Sequence, residues 1–220
     1  MSASAAQTDR LLKCGVLAGP VYIVVGLLQV LFREGFDIRR HALSLMSNGS
    51  LGWIQIGSFI VSGLLVIAGA VGMRQRLHPG RAGTWGPILL ALYGLGLIGA
   101  GIFVADPMDG FPPGTPAGPP MSMSWHGPLH FMAGGIGFIG LVGATLVFAR
   151  RFAALREWGW ATFSLATGVL FFAGFANIAS GARAPWINIA FTAVVVLSWA
   201  WLSAVSAKLM TPRARVTSRG

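Results

Sequence analysis

Apolar runs of about twenty residues alternate along the chain with short segments rich in charge, glycine or proline. The runs cover residues 11 to 32, 51 to 73, 86 to 105, 127 to 149, 158 to 180 and 186 to 207. The breaks between them read REGFDIRRHALSLMSNGS, RQRLHPGRAGTW, DPMDGFPPGTPAGPPMSMSW, RRFAALRE and GARAP. At about 1.5 Å of rise per residue, a helix of such length crosses a hydrocarbon core of about 30 Å. Backbone N–H and C=O groups in lipid must find partners within the spanning structure, which predicts helices here; barrel strands would be shorter and alternating. The expected fold is all-α, a polytopic membrane bundle of six transmembrane helices over residues 11–207. It lies between an N-terminal tail, 1–10, and a basic C-terminal tail, 208–220, with no soluble domain.

Composition agrees with lipid as the main solvent. Of 220 residues, 55% are hydrophobic and 10% charged, against about 25% charged in soluble domains. The first run is too long for the apolar region of a secretory signal, about 7 to 15 residues, and Leu11, Leu12 and Lys13 before Cys14 do not form a lipoprotein cleavage box. It is therefore expected to remain as the first helix. Cys14 is the one cysteine, so no disulfide forms within the chain, and its place in an apolar run reads as a small packed residue.

The net charge of +10 is scattered through the connections instead of gathering in one stripe, which argues against a nucleic-acid partner. Membrane topology accounts for it better. With the amino terminus inside, Arg10, Lys13, Arg74, Arg76, Arg81, Arg150, Arg151, Arg156, Lys208, Arg213, Arg215 and Arg219 fall on the inner side, and Arg33, Arg39, Arg40 and Arg183 on the outer. Cytoplasmic loops keep Lys and Arg, so twelve against four of the 16 basic residues predicts both termini in the cytoplasm and a multi-pass protein of the cell membrane. Trp53, Trp85, Trp125, Trp158, Trp160 and Trp186 sit near the ends of runs, where amphipathic rings favour the interface. Glycines in LYGLGLIGAGIF and FMAGGIGFIGLVGA, with Gly96 and Ala100 or Gly140 and Ala144 four apart, predict close packing of the third and fourth helices. No GxGxxG or Walker-type phosphate loop follows a strand here, so a nucleotide site has no support.

Sorting polar residues by side gathers candidate chemistry on the outer face. His41 and Ser44 precede the second helix, Asp106 and Asp109 follow the third, His126 and His130 open the fourth, and Asn177, Arg183 and Asn188 flank the last outer connection. In HGPLH the histidines are four apart and project from one helix face, so both could address one ion. Zinc would need a third ligand, from His41 or Asp106, and an open position for water; Asp106 or Asp109 would then take a proton while Ser44 or Arg183 steadied an oxyanion. The competing readings are a hydrogen-bonded cluster that joins the outer helix ends, and a ligand pocket without metal. The Pro-rich segment after the third helix is expected to be an ordered cover with little regular structure. FDIRRHALSLMS is expected to form a short amphipathic helix in which Asp37 and His41 lie four apart.

The segments HALSLMSNGSLG, GIFVADPMDGFPPGTP and HGPLHFMAGG resemble the domain of unknown function 998 family, over nearly the whole chain. The resemblance implies a six-helix prokaryotic membrane protein whose motif positions fall on His41, Ser44, Asp106, Asp109, His126 and His130. Where the family's run after the serine ends in an acidic residue, leucine and glycine, Leu45, Met46 and Ser47 stand here. A looser likeness is to the membrane hydrolases of the alkaline ceramidase and adiponectin receptor type, whose HxxxH lies on the last of seven helices.

Three functions follow as expectations. The first is a membrane protein whose outer polar face binds a lipid, small ligand or partner, with Asp109, Asn177 and Arg183 as ligand contacts. The second is a zinc hydrolase of a lipid or amide, with His41, His126 and His130 as ligands and Asp106 and Ser44 as catalytic groups. The third, a transporter, lacks charged residues at the span centres.

Overall fold

The computed structural model describes residues 3–120, 122–182 and 184–211. Six α-helices account for most of them: α1 (Ala3–Phe32), α2 (Gly52–Leu77), α3 (Arg81–Ile102), α4 (His126–Ala154), α5 (Trp158–Ala179) and α6 (Pro185–Met210). All six are long and apolar enough to cross a membrane, and no strand occurs among the described residues.

The helices outrun the apolar runs at one end of the bundle only. α1 begins at Ala3, α2 continues to Leu77, α3 starts at Arg81, α4 continues to Ala154 and α6 to Met210. All of these extensions lie at the end rich in Arg and Lys, where long charged side chains can reach water while their stems stay on the helix. The basic end is also tied by polar contacts. Arg76 pairs with Asp9, Thr8 donates to Gln75 at 2.8 Å, and Lys208 meets Glu157 at 2.9 Å while lying 4.8 Å from the centre of the Trp160 ring. At the opposite, polar end the helices stop near the predicted limits, and α3 ends at Ile102.

Each helix packs on its chain neighbours, and α6 returns to α1, so the six close into a ring; α2 and α6 meet across it in a smaller contact. Two close approaches set the tight side. A Cβ on Gly96 would lie 2.6 Å from the Cα of Gly137, and one on Gly63 would lie 2.6 Å from the carbonyl oxygen of Gly94. Glycine lets α3 touch α4 and α2 touch α3 along their backbones, which in lipid is the main source of helix association. α5 is held more loosely. Its buried residues are Ala161, Ser164, Thr167, Gly168 and Phe171, and none follows Phe171 toward the polar end. Its other half is fixed by Trp201, whose indole N–H donates to Ser164 at 2.9 Å.

The α1–α2 connection is not the continuous amphipathic helix expected from FDIRRHALSLMS. Turns over residues 34–40 lead into a short 3₁₀ helix (Leu43–Ser47). Arg33 explains why. It is buried, donates to the carbonyls of Met46 and, through a short bond, Asn48, reaches Gln29 Oε1 at 3.3 Å, and lies 5.3 Å from the centre of the Phe111 ring. A guanidinium that gathers two carbonyls thirteen and fifteen residues ahead leaves no path for a straight helix. Burial lowers its pKa from the ordinary arginine value, yet arginine keeps its charge at any working pH.

Candidate functional site

The polar end is assembled from the α1–α2 and α3–α4 connections. The Pro-rich cover is ordered, as expected, with Phe111 buried under Arg33 beside Leu45 and Ala105. Backbone bonds from Asp109 N–H to Gly118 and from Gly110 N–H to Pro116, at 2.9 and 3.1 Å, shape it. His41 joins the two connections. The Asp37 N–H can only donate, so at 2.9 Å it fixes His41 Nδ1 as acceptor; Nε2 then carries the proton and donates to the Asp109 carbonyl at 3.0 Å. Both nitrogens of this fully buried ring are thereby engaged. Asp37 itself is held below the usual carboxylate range, first by the Arg39 side chain and then by the Arg39 backbone N–H.

The HGPLH pair clips α4 to the end of α3. His130 Nδ1 donates to the carbonyls of Phe103 and Ala100 at 2.8 and 3.0 Å, and His126 Nδ1 donates to that of Val104 at 2.7 Å. The last carbonyls of a helix have no partner within it, and histidines four apart on α4 reach two successive levels of that terminus. Asp106 lies against the first turn of α4. Its carboxylate accepts from Ser124 N–H at 3.2 Å and occupies the space that a Cβ on Gly127 would take. A carboxylate at a helix N-terminus is favoured by the helix dipole.

The three histidines therefore have three separate sets of partners. Among the described residues no group of three or more His, Cys, Asp or Glu could hold a metal ion. The zinc arrangement expected on His126 and His130 with His41 or Asp106 as third ligand is not shown: both nitrogens of His41 are engaged by the fold, and a catalytic zinc takes three protein ligands.

What the structure brings together instead is a cavity of about 560 Å³ inside the ring, within the roughly 300–1,000 Å³ typical of ligand sites. Ser44, Asp106, Asp109 and His130 share its wall, with Arg40 and Asn188 at the same polar end. His41, His126 and Asn177 do not line it; Asn177 turns back to the Ala173 carbonyl at 2.8 Å. Arg183 lies outside the described residues. On α4 the wall runs from Gly127 to Phe138 and on α6 from Asn188 to Trp199, about 16 Å along each helix. The deep end is aromatic: Tyr22 stacks on Trp199 with centroids 4.8 Å apart, and Tyr93 lies 5.5 Å from the same ring.

Sequence reading offered a ligand pocket at this end as one alternative but missed its inner wall. The signal was in FMAGGIGFIG, where the glycines divide into two kinds. Gly137 and Gly140 press on α3, whereas a Cβ on Gly134 would meet nothing within 4 Å and one on Gly135 only Phe175, at 3.8 Å. Both Gly134 and Gly135 line the cavity. Their spacing alone does not separate the two roles.

Comparison with known proteins adds one finding. Residues 16–208 match the family model described as "Protein of unknown function (DUF998)". Comparisons with curated proteins and with solved structures found no match.

Proposed function

The chain belongs to the DUF998 family, and from the geometry of its ring we propose that it is a membrane-embedded binding protein for an amphipathic lipid. One chain of the lipid enters the cavity, and its headgroup stays among Ser44, Asp106, Asp109 and His130. The observation that carries this reading is the cavity, apolar and aromatic at depth and polar at one end. A slot of about 16 Å reaches roughly half-way through a core of about 30 Å, a depth that suits a lipid tail and exceeds the needs of a small polar solute. Access from the bilayer has support at α5, where Phe175 and Ile178 line the cavity although no residue beyond Phe171 is buried.

Lipid extracted from the purified protein and identified by mass spectrometry tests the reading. Wild-type protein is expected to carry lipid in near-stoichiometric amount. Gly135→Leu places a side chain in the cavity without meeting backbone, so it should cut bound lipid at least tenfold with little change in thermal stability. Undiminished lipid in that variant would sink the proposal.

We further propose that the polar end faces outward, on the twelve-to-four division of the 16 basic residues. An enzymatic reporter fused after Gly220 should then be active only in its cytoplasmic form. Activity of an exported reporter at that position would reverse the orientation.

A further inference from the structure

We propose that the headgroup of the bound lipid is a hydrogen-bond donor, a hydroxyl or a protonated amine, received by His130 Nε2. This rests on the lipid-cavity reading and adds the chemistry of the ligand. His130 is 6% exposed and lines the cavity. Its Nδ1 holds the ring proton, because the Ala100 and Phe103 carbonyls can only accept. In the neutral ring, Nε2 is therefore a bare lone pair, and it has no hydrogen-bond partner among the described residues. Nor is it sealed within the protein. The sealed, unpartnered side-chain atoms include those of Gln55, Ser58, Ser62 and Trp199, and His130 Nε2 is not one of them. With one edge of the ring turned to α3, the other is left to the cavity.

The Asp106 carboxylate has the same preference. Asp106 brings to the wall a carboxylate that accepts from Ser124 N–H. Arg40, a cation in the described wall, is drawn toward Asp37 at 3.7 Å. A carboxylate or phosphate headgroup would set lone pairs against lone pairs, while an alcohol or ammonium would supply the proton that this acceptor lacks. A buried acceptor that loses its partner when the wrong ligand binds is an effective filter.

The full chain in lipid nanodiscs, titrated with 1-monooleoylglycerol, methyl oleate and oleate and read by native mass spectrometry, separates the outcomes. All three probes share one tail and differ in head. Wild-type protein is expected to bind monooleoylglycerol about tenfold more tightly than methyl oleate, with oleate no better than the ester. In His130→Leu the ratio should fall to near one. His130→Gln, whose amide offers a donor to α3 and an acceptor to the cavity, should keep most of the preference. If His130→Leu does not fold, the wild-type ratio and the Gln variant decide. Equal affinities in the wild type, a preference for oleate, or a ratio that survives His130→Leu would overturn the headgroup assignment and leave the cavity reading in place, provided Gly135→Leu still blocks every probe. Failure of all three to bind, or indifference to Gly135→Leu, would remove both.

Discussion

Arg33→Met should lower the stability of the purified protein by roughly 2–5 kcal/mol, the cost of leaving two carbonyls without their partner at the polar end. The methionine can fill much of the space of the arginine stem, but it offers no donor to Met46 or Asn48 and no cation to the Phe111 ring. The damage should spread. Phe111 belongs to the small apolar cluster with Leu45 and Ala105, and His41, which packs 5.6 Å from the Phe111 ring, joins the two connections. Lipid retention should fall with stability, because Ser44 lies in the segment that Arg33 anchors. Unfolding in mixed micelles containing SDS, followed by circular dichroism, measures the first effect. A loss below about 0.5 kcal/mol, the range of ordinary surface substitutions, would mean that Arg33 does not organise this end.

Gly96→Leu should be as damaging, about 3 kcal/mol or beyond, and in many preparations no folded protein should be recovered. The new Cβ would meet the Cα of Gly137 at 2.6 Å and the Ala133 carbonyl oxygen at 2.7 Å. These are backbone atoms of the facing helix, so relief requires α3 and α4 to separate, which also strains the histidine clips to the end of α3. Gly57→Leu is the matched control: nothing lies within 4 Å of a Cβ there, and its unfolding curve should overlay that of the wild type. Equal behaviour of the two leucine variants would mean that the α3–α4 approach is not what holds the ring.

The span count was legible because it depends on a solvent. Lipid cannot partner backbone groups, so every run long enough to cross must be helical whatever its neighbours are, and a single sequence is sufficient to find it. The likeness of HALSLMSNGSLG and HGPLHFMAGG to one family was legible for a similar reason, since it lies in local strings, and the match over residues 16–208 agrees with it. Among the candidate residues, Ser44, Asp106, Asp109 and His130 meet at one cavity, although residue type alone suggested a metal for the histidine. The i, i+4 spacing of His126 and His130 places both rings on one face. It does not say whether that face meets an ion or the carbonyls at the end of another helix, and here it meets Ala100, Phe103 and Val104. Arg33 was counted only for its charge, because nothing local shows that a guanidinium folds back onto Met46 and Asn48.

The sequence by itself determined six apolar spans, a basic end opposite a polar one, and the residues available at each. Only the tertiary structure decided that α6 returns to α1 to close a ring, that Gly137 packs while Gly134 and Gly135 leave space, and that His41 is spent on the fold while His130 faces a cavity. The physical reason is the range of the forces. Exclusion from water and the pairing of backbone groups act along one segment and leave their mark in its composition, whereas a cavity is the space left between helices distant in sequence, and no one segment carries its outline.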